Sequence, residues 1–198
     1  MLLWDPIVQK ELTVSKEQES LIASQGRQYV SQLNEVRRIN KFRREDMSFK
    51  DRQLEDRDAL QSRIWVAKLT HDYEARLLAV LTDKQLRRLL QLCLQLAGPR
   101  AYCMAFVVDA LSLNEKQQGE IQKAMDNMSA KTAMLFAGDS KPQMSPDLAY
   151  SASMIEEEAL VECQLLVAGH QKEKATHLFG PKIGFKRQDL RHRVAISL

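Results

Sequence analysis

The stretch Leu81-Thr82-Asp83-Lys84-Gln85, running on through Leu86-Arg87-Arg88-Leu89-Leu90-Gln91-Leu92-Cys93-Leu94-Gln95-Leu96-Ala97, decides the fold of this chain. A threonine with glutamine three residues later is a capping box. The hydroxyl satisfies one orphan amide of the first helical turn, and the glutamine reaches back to another. The residues behind the box carry leucines on several sides, which predicts a helix buried on more than one face. Gly98-Pro99 stops it, glycine closing the C-terminus and proline forbidding continuation.

The same signature recurs in both directions. Ser15-Lys16-Glu17-Gln18 opens a helix in which Leu21, Ile22, Tyr29, Val30, Leu33 and Val36 fall mostly on one face. That pattern fades into Lys41 to Asp46. A second long helix is predicted from about Lys50 to Val80, its apolar face formed by Leu60, Ile64, Ala67, His71, Ala75 and Leu78. Mixed charges such as Arg52, Glu55, Asp56, Arg57 and Asp58 make its opposite, solvated face. Residues 101–112 read as a short core helix, a strand being the lesser option. Asn114-Glu115-Lys116-Gln117 is a third box, with Asn as N-cap. The helix it opens carries Ile121, Ala124, Met125, Met128, Met134, Leu135 and Phe136. Residues 137–142 read as a loop. Ser145-Pro146 opens a further helix to about Val167, with Leu148, Ala152, Ile155, Ala159, Cys163 and Leu166 on its apolar face. The basic tail from Phe179 is expected to be loosely ordered.

Composition agrees with an all-helical protein. The chain has 198 residues with only 7 Gly and 5 Pro, too few for a turn-rich β fold. No apolar run approaches the roughly 20 residues of a membrane span. A net charge of +3 does not point to nucleic acid. The start, Met1-Leu2-Leu3-Trp4-Asp5-Pro6, lacks the features of a signal peptide. Cys93, Cys103 and Cys163 cannot all pair, which fits a reducing compartment or inert thiols. Cys93 and Cys103 flank the Gly98-Pro99 turn, where a hairpin could bring them together, and small core residues are the preferred reading.

An internal duplication is legible. Val8-Gln9-Lys10-Glu11-Leu12-Thr13-Val14-Ser15-Lys16-Glu17-Gln18 aligns without a gap to Val107-Val108-Asp109-Ala110-Leu111-Ser112-Leu113-Asn114-Glu115-Lys116-Gln117. The counterpart of Val80-Leu81-Thr82-Asp83-Lys84-Gln85 is Leu166-Val167-Ala168-Gly169-His170-Gln171, which has lost the capping hydroxyl. The expected architecture is therefore all-α: two tandem repeats of long antiparallel helices with short capped helices. The repeats would span 1–98 and 99–178, followed by a basic tail at 179–198.

The L-T-x-x-Q element resembles the Spy/CpxP-like LTxxQ proteins of the bacterial envelope, here as two tandem copies. Leu81, Thr82 and Gln85 fit the motif fully. Leu12, Ser15 and Gln18, and likewise Leu111, Asn114 and Gln117, fit a looser form. Gly180-Pro181-Lys182-Ile183-Gly184-Phe185 loosely matches a Gly-x-Pro-Phe ending of related sequences. The resemblance implies long helices forming a curved cradle, a homodimer, an extracytoplasmic (periplasmic) location and ATP-independent chaperone or stress-regulatory activity. Without a signal peptide in the chain, a cytoplasmic location stays open.

Other chemistry is weakly signalled. His170 and His177 stand two helical turns apart, about 10 Å of rise and too far for one ion. His71-Asp72 is a single pair. No nucleophile elbow or Gly-rich phosphate loop occurs, so no catalytic residue and no cofactor is assigned. Glu156-Glu157-Glu158 reads as a solvated face, and Arg37, Arg38, Lys41, Arg43 and Arg44 as a helix end. Met125, Met128 and Met134 sit at helical spacing that more often marks core, yet exposed they would suit an adaptable client-binding surface. The expected function is non-enzymatic binding of unfolded or partly folded protein clients. The alternatives are a structural or regulatory protein with one specific partner, and a metal-binding sensor.

Overall fold

The structure, a computed structural model, describes residues 2–46, 52–137 and 145–183, with side chains described outside 40–46 and 52–59. Every regular element among the described residues is helical. A 3-10 turn at Leu2–Trp4 leads into α1 (Pro6–Glu11), α2 (Lys16–Asp46), α3 (Arg52–Leu78) and α4 (Asp83–Ala97). A 3-10 segment (Gly98–Cys103) follows, then α5 (Ala105–Leu111), α6 (Glu115–Phe136), α7 (Pro146–Leu166) and α8 (Gly169–Phe179). No helix among the described residues is long and apolar enough to cross a membrane.

The described chain divides into two compact units, residues 2–87 and 88–183, the division falling inside α4. The sequence places the break at Gly98-Pro99 instead. The difference follows from α4 itself: Leu94, in its last turns, is buried among the side chains of the second unit. Gly98 adopts a left-handed backbone, φ 64°, as a helix-ending glycine does. The chain then continues as a 3-10 helix rather than turning into a hairpin, and all three cysteines are free.

In the first unit, Asp5 caps α1, its carboxylate accepting the Ile7 amide at 2.8 Å with Pro6 at the first helical position. α2 and α3 run antiparallel. Gln18 reaches the Val80 carbonyl at one end, and Tyr29 meets Thr70 further along. Ile22 and Val36 of α2 are buried, as are Tyr73 and Leu77 of α3. The Trp4 indole fills the notch left by Gly26, where a Cβ would meet Trp4 Nε1 at 2.9 Å. Its N–H donates to the Tyr73 hydroxyl at 2.7 Å, and Tyr73 stacks on Tyr29 at 4.7 Å.

One face of α3 corrects the sequence reading. Leu60, Ile64, Ala67, His71, Ala75 and Leu78 are all exposed. The face turned to α2 is the neighbouring one, with Val66, Leu69 and Thr70 half-buried and Tyr73 and Leu77 buried. Both faces repeat at helical spacing, and docking against the Trp4–Tyr29 pair selects the second.

In the second unit, α6 and α7 run antiparallel: Gln117 reaches the Leu166 carbonyl, and Lys131 pairs with Glu158. The core gathers Tyr102, Val107, Leu111, Ile121, Cys163 and Val167, among others. Residues 101–111 are helical, in two pieces divided at Met104, whose backbone is extended, and Ser112 ends the second. Residues 179–183, read from sequence as the start of a loose tail, are held in place. Phe179 stacks on Tyr102 at 5.1 Å, and the Ile183 amide donates to Gln95 at 3.0 Å. The loop expected at 137–142 lies, beyond Ala137, outside the described residues, as does the chain after Ile183.

Candidate functional site: two glutamine clasps

The motif residues converge in space. In the first unit, Ser15 and Thr82 stand at the starts of α2 and α4. Their hydroxyls accept the amides of Gln18 and Gln85 at 3.2 and 3.3 Å. Each glutamine returns the bond: Gln18 Oε1 accepts from the Ser15 amide, and Gln85 Oε1 from the Thr82 amide, both at 2.9 Å. Both are complete capping boxes.

The boxes leave each glutamine with a free amide nitrogen and spare acceptor capacity on its oxygen. These meet across 67 positions of sequence. Gln18 Nε2 donates to Gln85 Oε1 at 2.9 Å, and Gln85 Nε2 donates back to Gln18 Oε1 at 3.1 Å. The remaining donor of each goes to a backbone carbonyl, Gln18 to Val80 at 2.7 Å and Gln85 to Leu12 at 3.2 Å. The Thr13 carbonyl also lies within reach of Gln85, at 3.4 Å. Leu12 and Leu81, beside the pair, are buried. One amide pair thus ties together the ends of α1 and α3 and the starts of α2 and α4.

The second unit contains the same arrangement. Asn114 Oδ1 accepts the Gln117 amide at 2.9 Å, and Gln117 Oε1 accepts the Asn114 amide at 3.1 Å. Gln117 Nε2 donates to Gln171 Oε1 at 2.8 Å, with the reciprocal bond at 3.3 Å. Gln117 also reaches the Leu166 carbonyl at 2.8 Å, and Gln171 the Ser112 carbonyl at 3.0 Å. Leu111 is fully buried beside them. At Ala168 only half a box exists, the Ala168 amide donating to Gln171 Oε1 at 2.8 Å. The residue after each anchoring leucine, Thr13 or Ser112, is left-handed, with φ 50° and 54°. That costs a β-branched or hydroxyl residue about 1–3 kcal/mol, and the clasp bonds at these turns help to hold it.

The sequence does not mark Gln171 as a site residue, because Ala168 stands where its hydroxyl partner would be. Yet it is only 2% exposed, with every side-chain polar atom engaged. Neutral amides avoid the desolvation that a buried ion pair would meet. They take up no proton near neutrality, so the arrangement positions helices and moves no proton.

The methionines separate. Met125 and Met128 are buried against Ala159 and Ile155, which removes them from any client surface. They fill the space between α6 and α7. Met134, near the end of α6, is 77% exposed. His71, His170 and His177 are exposed, and no group of three or more His, Cys, Asp or Glu among the described residues is placed to hold a metal. Burial pushes the Cys163 thiol up to about 11 and also raises Cys93 and Cys103. None is an activated nucleophile. Arg38 pairs with exposed Glu35 at 2.8 Å, while the side chains of Lys41, Arg43 and Arg44 lie outside the described residues.

Exposed large apolar side chains occur on several helices, and α3 and α7 each carry a group of them. On α3, Leu60, Ile64 and Trp65 are 58%, 60% and 59% exposed. On α7, Tyr150, Met154, Val161 and Leu165 are exposed. Comparison with family models, with curated proteins and with solved structures returns no match to this chain.

Proposed function

We propose that this protein is a non-enzymatic, ATP-independent holdase of the Spy/CpxP-like type, built from two copies of one helical repeat. What supports the duplication is register. An offset of 99 residues carries Leu12, Thr13, Ser15 and Gln18 onto Leu111, Ser112, Asn114 and Gln117. An offset of 86 carries Val80 and Gln85 onto Leu166 and Gln171. The glutamine pairs follow the same two offsets, as do the carbonyls of Val80 and Leu166; Gln171 takes the Ser112 carbonyl, whose counterpart Thr13 is the longer of the two that Gln85 reaches.

The observation that carries the binding role is the uncovered face of α3. Folded chains seldom leave a tryptophan, a leucine and an isoleucine together in water, and such patches mark surfaces that meet another chain. Apolar contact would hold the client, and the surrounding charge would speed its capture. The resemblance adds a periplasmic setting, where no nucleotide would be required.

The test is light scattering of an aggregating model client, with the protein at stoichiometric ratio and no ATP. Suppression is expected, and it should weaken severalfold in a Leu60→Glu/Ile64→Glu variant whose helicity by circular dichroism matches the parent. A folded parent that suppresses nothing overturns the holdase reading and favours a dedicated partner. Equal suppression by parent and variant moves the binding away from α3.

A further inference from the structure

The second unit contains a cleft apart from its glutamine clasp, sharing Leu165 with the exposed face of α7. It measures about 650 Å³ and opens between the end of α4, the 3-10 turn, α7 and α8. That volume falls within the 300–1,000 Å³ typical of small-molecule sites. Its walls are largely apolar, with Leu94, Leu160, Leu165, Val167, Phe179 and Ile183 among them.

Tyr102 also lines this cleft and is only 4% exposed. Its hydroxyl makes no hydrogen bond among the described residues. No side-chain nitrogen or oxygen among them is both sealed from solvent and unpartnered. The hydroxyl therefore keeps some access to solvent, in a residue that lines the cleft. Burial raises this phenol to about 12, so it stays protonated and can donate a hydrogen bond at neutral pH. Two exposed lysines, Lys172 and Lys182, line the cleft as well, against one carboxylate, Glu157. Neither lysine forms an ion pair among the described residues.

We propose that this cleft binds a fatty acid, its hydrocarbon chain against the apolar walls and its carboxylate met by the Tyr102 hydroxyl and the Lys172 and Lys182 ammonium groups. The apolar walls supply affinity in proportion to the chain buried. The charged mouth supplies preference for an anion over an alcohol or a cation of equal length.

Calorimetric titration of the full chain with laurate, below its micelle concentration, tests this. One site per chain is expected. Dodecanol should bind roughly tenfold more weakly, and dodecyltrimethylammonium weaker still. Tyr102→Phe should weaken laurate roughly fivefold without lowering stability, since the hydroxyl bonds to nothing in the protein. Leu165→Glu, at a position 76% exposed and so safe for folding, should repel laurate by a factor of ten or more. The proposal is overturned by no laurate binding to the folded protein. It is equally overturned if dodecanol or the cation binds as tightly as laurate, or if neither substitution changes the affinity.

Discussion

Gln18 and Gln85 face each other amide to amide, each donating to the other's oxygen, at 2.9 and 3.1 Å. Gln85 is only 9% exposed, so its truncation leaves the Leu12 carbonyl and the Gln18 amide without that partner, and Thr82 without half its box. Gln85→Ala should cost about 2–4 kcal/mol in urea unfolding, at the upper end of what orphaned buried groups lose. Gln171→Ala should behave alike. A loss below about 0.5 kcal/mol at both would mean that the clasps do not hold the helices together.

Gln85→Glu separates charge from shape. A carboxylate there would confront the Leu12 and Thr13 carbonyls that the amide now serves, and only its protonated form can donate. Its folded-state pKa is therefore raised above the unfolded value. The deficit against the parent is largest at pH 7 and shrinks as pH falls through the raised value. Parallel denaturation series at pH 7 and pH 4.5 measure this, and a deficit that does not narrow contradicts it.

Caps can be removed and restored. Thr82→Ala should cost about 1 kcal/mol while leaving client binding by the folded protein unchanged. Ala168 occupies the equivalent N-cap with extended backbone, φ −67° and ψ 164°. Ala168→Ser should add about 0.5–1 kcal/mol by completing the fourth box. Thermal melts of both variants would show opposite shifts.

Two helical glycines should respond with opposite sign. At Gly119 a Cβ meets nothing within 4 Å, so Gly119→Ala should stabilise by about 0.5–1 kcal/mol. At Gly26 a Cβ collides with the Trp4 ring. Gly26→Ala should displace that ring, break its bond to Tyr73 and destabilise by about 1–3 kcal/mol. A shift in tryptophan fluorescence should accompany the loss.

Tyr102 makes the alkaline limb measurable. Its phenol is raised to about 12 by burial, against about 10 when unfolded. The stability it contributes is complete below pH 10 and falls as pH climbs toward 12. Tyr102→Phe should flatten that part of the stability profile, and an unchanged slope would contradict the assignment.

Much of the fold was legible because caps are local. A hydroxyl or amide at one position and a glutamine three later fix a helix start whatever else the chain does, as at Ser15, Thr82 and Asn114, and Ser145 does so with proline behind it. The buried face of α3 was not legible. Two apolar faces lie side by side on that helix, and the choice rests on Trp4, 69 positions away from Tyr73. The second use of each glutamine was equally hidden. The box announces itself in four residues, while the partner amide stands 67 positions off in one unit and 54 in the other. Gln171 shows the cost of reading only the local half, since its cap has vanished and its long-range bonds remain.

The span of those amide pairs also bears on how each unit is made. A contact closing 54 or 67 residues contributes heavily to contact order, and its loop entropy must be met before it returns any stabilisation. The helices can form early, each from its own cap, while the amide pair closes only once its two chain ends arrive. During synthesis, Gln18 leaves the ribosome well before Gln85 exists to answer it. The first unit therefore passes through a stage with its helices written and its lock still open.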